Sequence, residues 1–363
     1  MAEAQQAEAV VPTALEYPFA APPAPGQTLE VAPGVLWIRM PMPSALDHIN
    51  LWAIEDGAGW TIVDTGLRNA NTAEAWEHLF NGALGGRPVT RVIVTHMHPD
   101  HIGMAGWLTR KFGCRLWITR LEYMQCRVLV ADTGREAPLD AVNFLRGAGW
   151  SEVALEGYRA RFGNFGKNTY ALPDSYRRLS DGESLQIGAH EWRVVVGNGH
   201  SPEHACLWCP TLKLFISGDQ VLPRISSNVS VHPTEPDADP MRDWYGSLAK
   251  IAMQVPDDVL VLPAHNECFY GLHARLTRLV TGQDKAMERL RGALAKGPCR
   301  VIDVFSALFK RPIVETDAPL MGLATGESQA CLNHLLWSGE VTLDVDAKGV
   351  RWYRIGSAHA LPG

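Results

Sequence analysis

The feature that most limits the possible folds is a short run of metal-binding side chains placed directly after a predicted strand. The β-rich run 91–95 is followed at once by His96, His98, Asp100 and His101. Side chains at i and i+2 of an extended chain point to the same side, so His96 and His98 can bind one cation. The turn that follows can direct Asp100 and His101 toward a second cation. Nitrogen and carboxylate ligands suit zinc, manganese or iron(II).

Predicted strands and helices alternate along the first two thirds of the chain. Helical spacing of apolar residues occurs at 72–83 and 102–112, and a further helix is predicted at 239–254. The β-rich runs lie at 34–39, 50–54, 59–64, 91–95, 114–119, 184–188, 191–197, 205–209, 213–217 and 258–262. This alternation predicts an α/β fold built in layers.

Three more candidate ligands stand at the ends of predicted strands. They are His200 after 191–197, Asp219 after 213–217 and His265 after 258–262. Because α/β folds place their ligand sites at the carboxyl ends of strands, we expect these side chains to join the cluster at 96–101. The sequence therefore predicts a site for two metal ions.

The chain divides into four parts. Residues 1–28 are rich in Pro and Ala and predict a disordered or extended tail. The catalytic domain is predicted over 29–270, with an irregular or helical insertion at 120–180. A connecting helix follows over 271–297. Two helical stretches and a hairpin then give 298–363 the layout of a small winged-helix domain.

Composition excludes several classes of protein. The net charge of −6 gives no general reason to expect nucleic-acid binding, and residues 296–363 hold seven basic and seven acidic side chains. No apolar run approaches the roughly 18 residues that a membrane span requires. Residues 1–26 contain no Lys or Arg, which argues against a secretory signal. Seven cysteines suit reduced thiols, so we expect a cytoplasmic protein acting on a small molecule, with a homodimer left open.

The run His96-Met-His98-Pro-Asp100-His101, with the later His200, Asp219 and His265, resembles the metallo-β-lactamase superfamily in motif and chain order. The resemblance covers about residues 30–270 and implies an αβ/βα sandwich with the metals at one edge, between two sheets. It implies one ion held by His96, His98 and His200. It implies a second ion held by Asp100, His101 and His265, with Asp219 bridging both.

The resemblance also implies a set of residues behind the ligands. Asp64, in Val-Asp-Thr-Gly, matches a buried acid that orients a ligand, although a turn-forming carboxylate before Gly66 explains it equally well. His204 is likewise expected to lie behind the metal ligands. The region 271–356 resembles the C-terminal part of the lactamase-β-2-like branch, with a less specific pattern.

Details of the motif narrow the expected chemistry. Asp219 stands where zinc β-lactamases carry cysteine or serine, and His98 is not the glutamate of diiron flavoproteins. The set of candidate metal ligands is most similar to that of glyoxalase II and related hydrolases. Glu203 departs from the glyoxalase pattern, which usually has Gly before the next His, so it predicts a carboxylate near the pocket rim and disfavours a glutathione thioester.

We therefore expect a hydrolase with two divalent ions, zinc first and manganese or iron as alternatives. A hydroxide between the ions would cleave a small ester, thioester or lactone, with Asp100 as the catalytic residue that passes a proton to the leaving group. Arg224 could anchor an anionic substrate, or be a surface arginine. Tyr270 could line the pocket, or pack at a helix start.

Three alternatives stay open at this stage. The first is a phosphodiesterase or ribonuclease, suggested by the C-terminal resemblance. The second is a winged-helix nucleic-acid-binding protein whose metal site is secondary. The third is a mononuclear iron dioxygenase. Against the second, the candidate recognition helix at 325–338 has no Lys or Arg.

Overall fold

Two large β-sheets, the helices that cover them and a C-terminal two-stranded hairpin form the described chain in this computed structural model, which describes residues 14–43 and 46–356. The first sheet has seven strands, in chain order: β1 Thr28–Ala32, β2 Val35–Pro41, β3 His48–Asp56, β4 Gly59–Val63, β5 Val89–Ile93, β6 Arg115–Ile118 and β7 Arg177–Arg178. The second sheet has five strands: β8 Ser184–Ile187, β9 His190–Gly197, β10 His204–Cys209, β11 Leu214–Gly218 and β12 Leu260–Pro263. Their order across that sheet is β12-β11-β10-β9-β8. The predicted hairpin at 205–217 is confirmed, since β10 pairs antiparallel with β11.

The helices lie on the outer faces of the two sheets and in the C-terminal region. They are α1 Ala70–Asn81, α2 Pro99–Ile102, α3 Ala105–Phe112, α4 Arg120–Ala131, α5 Leu139–Gly147, α6 Glu152–Arg161, α7 Pro240–Gln254, α8 Leu272–Leu294, α9 Phe305–Leu308 and α10 Ala318–Trp337. A hairpin of β13 Val341–Val345 and β14 Arg351–Ile355 ends the described chain. Among the described residues, none of the helices combines the length and apolar character that a bilayer crossing requires.

Three apolar clusters show how the layers stack. The middle cluster joins the two sheets, for example through Trp52 of β3 and Ile216 of β11. A second cluster lies between the first sheet and helices α1 and α3. The third lies between the second sheet and α7, α8 and α10, and includes Phe215, the neighbour of Ile216. Alternate residues of β11 thus face opposite layers, which gives the αβ/βα sandwich that the motif implied.

Part of the N-terminal segment, which the sequence predicts to be disordered or extended over residues 1–28, packs on the rest of the chain. Glu16 and Tyr270 exchange backbone hydrogen bonds of 3.2 and 2.9 Å, and the Arg224 guanidinium lies 4.8 Å from the centre of the Tyr17 ring. Prolines and alanines prevent this segment from forming a core of its own, but they do not prevent an extended chain from packing on another. The first thirteen residues lie outside the described part of the chain.

Replacing Tyr17 with alanine is expected to lower the free energy of unfolding by about 1–3 kcal/mol, because a partly buried ring and its cation contact are lost. Urea denaturation measures the change. Tyr270→Ala is the matched control, since Tyr270 contacts the segment through backbone atoms. Unchanged stability after deletion of residues 2–26 would contradict this packing.

The 120–180 insertion is mainly helical, and it packs with the C-terminal region into one core. It contains α4, α5 and α6, and Trp150 beyond α5 donates a 2.9 Å hydrogen bond to Thr325 of α10. Helix α10 begins earlier than the sequence suggested, at Ala318, because Asp317 caps it by accepting from the Leu320 amide. The C-terminal elements therefore share their apolar core with the catalytic domain.

Candidate metal centre

The candidate ligands meet where the carboxyl ends of parallel strands coincide. Strands β4 and β5 are parallel in the first sheet, and β11 and β12 are parallel in the second. The residues that follow these four strands are Asp64, His96, Asp219 and His265. A backbone hydrogen bond of 2.8 Å from Ala205 to Thr95 joins the two sheets at this edge.

One group of candidate ligands contains three imidazoles and a carboxylate. The potential ligand atoms of His96, His98, His200 and Asp219 all lie within 4.8 Å of one another. Nε2 of His96 lies 2.8 Å from Nδ1 of His98 and 3.2 Å from Nε2 of His200. Three ring nitrogens thus converge on one point, as a tetrahedral cation requires.

A second group lies beside the first and faces its carboxylate. It contains Asp100, His101 and His265. Oδ2 of Asp219 lies 3.5 Å from Nε2 of His101 and 3.4 Å from Nε2 of His200. Its other oxygen, Oδ1, lies 3.4 Å from Nε2 of His265. Asp219 therefore stands between the two groups.

Two buried atoms at this site have no hydrogen-bond partner within the described structure. They are Nε2 of His101 and Oδ1 of Asp219. Buried polar atoms in folded proteins are nearly always paired, so unpaired atoms at a convergent site indicate a missing partner. A ring nitrogen with a free lone pair, facing a carboxylate oxygen, can bind a divalent cation. The residues present therefore fit the metals that the motif implies.

Asp64 holds one of these imidazoles in place. Its Oδ2 lies 2.7 Å from Nδ1 of His101, and the carboxylate also accepts hydrogen bonds of 2.8 Å from the amide and hydroxyl of Thr95. With Nδ1–H donating to Asp64, the Nε2 lone pair of His101 faces the site. Asp64 adopts a left-handed φ of 61°, a costly conformation for a residue other than glycine.

Backbone carbonyls orient two other imidazoles in the same way. Nδ1 of His265 lies 2.9 Å from the carbonyl oxygen of His48, and Nδ1 of His200 lies 2.7 Å from that of Asn228. Each contact places the proton on Nδ1 and leaves Nε2 free to bind a metal.

His204 lies behind the candidate ligands and fixes the strand end that carries Asp219. Its Nε2 accepts a 3.1 Å hydrogen bond from the Asp219 amide. The ring lies so close to Gly218 that a Cβ there would come within 2.5 Å of it, and Gly218 has a φ of +51°. Only glycine permits this approach.

Glu122, in α4, is a site residue that sequence reasoning missed. Its side chain is fully buried and accepts hydrogen bonds from the amides of Met97, at 2.9 Å, and Glu203, at 2.8 Å. Burial raises the pKa of Glu122, while these amides lower it. Glu122 thus joins the loop of the histidine motif to the loop after His200. Nothing in the sequence distinguishes it from an ordinary helix glutamate.

The structure places the Glu203 carboxylate, which the sequence predicts near the pocket rim, against the insertion. Its Oε2 accepts a 2.8 Å hydrogen bond from the Leu121 amide in the first turn of α4. Its backbone carbonyl accepts from the Thr119 hydroxyl at 2.7 Å. A carboxylate is stabilised at a helix N-terminus, so Glu203 holds the insertion against the catalytic domain.

Glu122→Gln is expected to lower the free energy of unfolding by about 1–3 kcal/mol. The NH₂ group of the glutamine side chain would face one of the two backbone N–H groups and could not accept its hydrogen bond. Urea denaturation of metal-free protein measures the loss. Glu156→Gln, on the exposed side of α6, is the control and should leave stability unchanged. Equal stability of the two variants would refute the linking role of Glu122.

Electrostatics favour the metal-binding forms of His98 and Asp219, but not of every candidate ligand. Burial lowers the pKa of His98 to about 3, so its imidazole is neutral. Burial opposes ionisation of Asp219, but His265 and His101 outweigh it and hold the pKa of this carboxyl well below its usual range. Neutral imidazole and ionised carboxylate are the ligand forms. Burial also lowers the pKa of His101 and His265, but nearby carboxylates outweigh it and raise both pKa values. Asp64 contributes most for His101 and Asp219 most for His265, so a metal must displace a proton from these two rings.

A cavity of about 430 Å³ opens beside His200. Its walls come from the insertion, through Gln125, from residues 230–240, and from the C-terminal helix, through Trp337. The insertion and the C-terminal region therefore both shape the space next to the cluster.

The two predicted substrate contacts lie elsewhere. Arg224 forms a two-point ion pair with Glu267, at 2.8 and 3.0 Å, and its guanidinium covers Tyr17. Tyr270 lines a different concavity together with Glu16. Both residues contact the N-terminal segment instead. Arg224 is close in sequence to Asp219 and Tyr270 to His265, but closeness in sequence does not determine the direction of a side chain.

Comparison with known proteins agrees with this architecture. The family model described as Metallo-beta-lactamase superfamily matches residues 45–265, and one described as Metallo-beta-lactamase-like, C-terminal domain, matches residues 287–355. The chain therefore belongs to the metallo-beta-lactamase superfamily, whose fold is that of metal-dependent hydrolases.

Solved structures and a curated relative extend the comparison. A beta-lactamase domain protein from Burkholderia ambifaria is 40% identical, with a TM-score of 0.86 over 94% of this chain and 98% of its own. A metallo-beta-lactamase family protein from Thermus thermophilus is 23% identical, with a TM-score of 0.74 over 90% of this chain and 100% of its own, and shows the fold. A protein from Aquifex aeolicus is 22% identical over 209 residues, which are 58% of this chain and 78% of its own.

Proposed function

We propose that this protein hydrolyses a small ester, thioester or lactone with the help of two divalent ions, zinc first and manganese or iron as alternatives. The observation that carries the proposal is the pair of adjacent ligand groups, with the Asp219 carboxylate of the first facing His101 and His265 of the second. His96, His98 and His200 would hold one ion, and Asp100, His101 and His265 the other.

Bound ions would lower the pKa of a coordinated water toward ~7 and polarise a substrate carbonyl. The protein supplies the rest of the chemistry. Oδ2 of Asp100 lies 3.5 Å from Nε2 of His265 and 3.8 Å from Nε2 of His101. From this position its carboxylate can accept a hydrogen bond from the attacking water and then pass the proton to the leaving group.

The cavity supports a small substrate. Its volume of about 430 Å³ lies within the range of about 300–1,000 Å³ typical of small-molecule sites. His200 lies in its wall, so a bound molecule would contact one of the candidate ligands.

A hydrolysis assay with thioester, lactone, carboxylic ester, β-lactam and phosphodiester substrates tests the proposal. We expect turnover in at least one of the first three classes, lost in His96→Ala. Turnover of phosphodiesters alone would favour the alternative phosphodiesterase or ribonuclease. Activity that survives in His96→Ala would place the reaction at another site.

We also propose that the C-terminal region does not bind nucleic acid. Helix α10 is buried over most of its length, with Gln329, Ala330, Cys331 and Leu332 at most 1% exposed, so it cannot enter a groove. We expect no binding tighter than micromolar to duplex DNA or single-stranded RNA at ~150 mM salt. Tighter binding that weakens steeply with salt would contradict this expectation and favour a ribonuclease.

A further inference from the structure

A chain of hydrogen bonds connects the candidate ligand His200 to the C-terminal helix. Nδ1 of His200 lies 2.7 Å from the backbone oxygen of Asn228. The side-chain amide of Asn228 donates a 2.8 Å hydrogen bond to Oε2 of Glu327 in α10. Its side-chain oxygen accepts from the Ser230 hydroxyl at 2.5 Å. The carbonyl that orients His200 therefore belongs to a residue that the C-terminal region holds.

Residues 228–231, which we call the docking loop, also contact α10 through the backbone. The Val231 amide donates a 3.0 Å hydrogen bond to the Gly326 carbonyl. A Cβ at Gly326 would come within 2.6 Å of the Ser230 hydroxyl. Glycine at this position allows the docking loop to lie directly on the helix, one residue before Glu327.

The carboxyl group of Glu327 lies in a partly buried position, where it needs a hydrogen-bond partner. Burial raises its pKa to about 7, and the hydrogen bond from Asn228 acts in the opposite direction. Leaving a partly buried carboxyl group without a hydrogen bond lowers the stability of the fold, so the contact with Asn228 restrains both side chains.

We propose that Glu327 is a positioning residue for metal binding, which acts by holding Asn228 so that its carbonyl orients His200. This inference rests on the proposed metal centre. Its consequence is that the C-terminal region sets the metal affinity of the catalytic domain. Loss of a partner that orients a metal ligand typically weakens metal binding about 10- to 100-fold.

Competition between the full-length protein and a chromophoric chelator for Zn²⁺ tests the inference. We expect Glu327→Ala to bind Zn²⁺ about 10- to 100-fold more weakly than the wild type. Glu327→Gln, whose side-chain oxygen can still accept from Asn228, should restore the affinity to within about threefold of wild type. Thr325→Val is the matched control, because it removes the buried bond to Trp150 without touching the docking loop.

Melting temperatures of the metal-free variants separate positioning from general stability. If Glu327→Ala and Thr325→Val lose Zn²⁺ affinity equally, affinity follows stability and the inference is overturned. Asn228→Ala keeps the backbone carbonyl but loses the link, so it provides a second test if Glu327→Ala does not fold. Its affinity should fall similarly, and the double variant should lose no more than either single variant.

The outcomes also separate this inference from the proposed function. A wild-type protein that binds no Zn²⁺, Mn²⁺ or iron would refute the metal centre itself. A wild-type protein that binds Zn²⁺ only as tightly as Glu327→Ala and Asn228→Ala do would leave the metal centre intact and refute only the role of Glu327.

Discussion

Replacing Asp219 with asparagine is expected to reduce hydrolysis far more than the roughly 10- to 100-fold that loss of an outer-shell partner costs. The Asp219 carboxylate lies within 3.5 Å of ring nitrogens from both ligand groups. Asparagine offers one neutral oxygen in place of the two oxygens of a carboxylate, so its side chain cannot bind a metal ion in each of the two ligand groups.

Metal content and turnover are measured together on the Asp219→Asn protein. The fold should persist, because the backbone amide that bonds to His204 is unchanged. Asp258→Asn, at an exposed ion pair with Lys213, is the control and should retain both properties. If Asp219→Asn cleaves a substrate at the wild-type rate, the assignment of this site is incorrect.

Loss of hydrolysis after removal of the metals by a chelator is the second large effect that we expect. We expect activity to return on addition of zinc or manganese, with about two ions bound per chain. The melting temperature should fall on chelation and recover with the metal, because ions that bind only the folded state stabilise it.

Elemental analysis distinguishes the remaining alternative. One iron per chain, with oxygen consumption in place of hydrolysis, would contradict the dinuclear hydrolase and support a mononuclear dioxygenase. Binding of one zinc with full hydrolysis would show that the second group, Asp100, His101 and His265, is not needed for turnover.

The convergence of the candidate ligands could be predicted from the sequence because the spacing of the first four is local. His96, His98, Asp100 and His101 lie within one turn after a strand, and the geometry of an extended chain alone brings the first two together. The later ligands follow from strand ends, which parallel pairing places at one edge of the fold. The same signals predicted the layered architecture, which the structure confirms.

The supporting residues could not be predicted in this way, because their roles depend on how separate segments pack. Glu122 reaches the motif only when the insertion folds back over it, and Glu327 reaches Asn228 only when α10 docks. Arg224 and Tyr270 show the converse, since residues near a ligand in sequence can face another surface.

Trp337 lies in the cavity wall, where its indole ring can serve as a fluorescent probe of the cavity. Its indole donates a 2.9 Å hydrogen bond to the carbonyl of Asp237, which also lines the cavity, yet 63% of Trp337 is exposed. Indole emission shifts with the polarity of its surroundings, and an occupant of the cavity displaces water from this ring. Because the chain has twelve tryptophans, the part of a fluorescence change that Trp337→Phe removes would report compounds that enter the cavity, before any of them is known to be turned over.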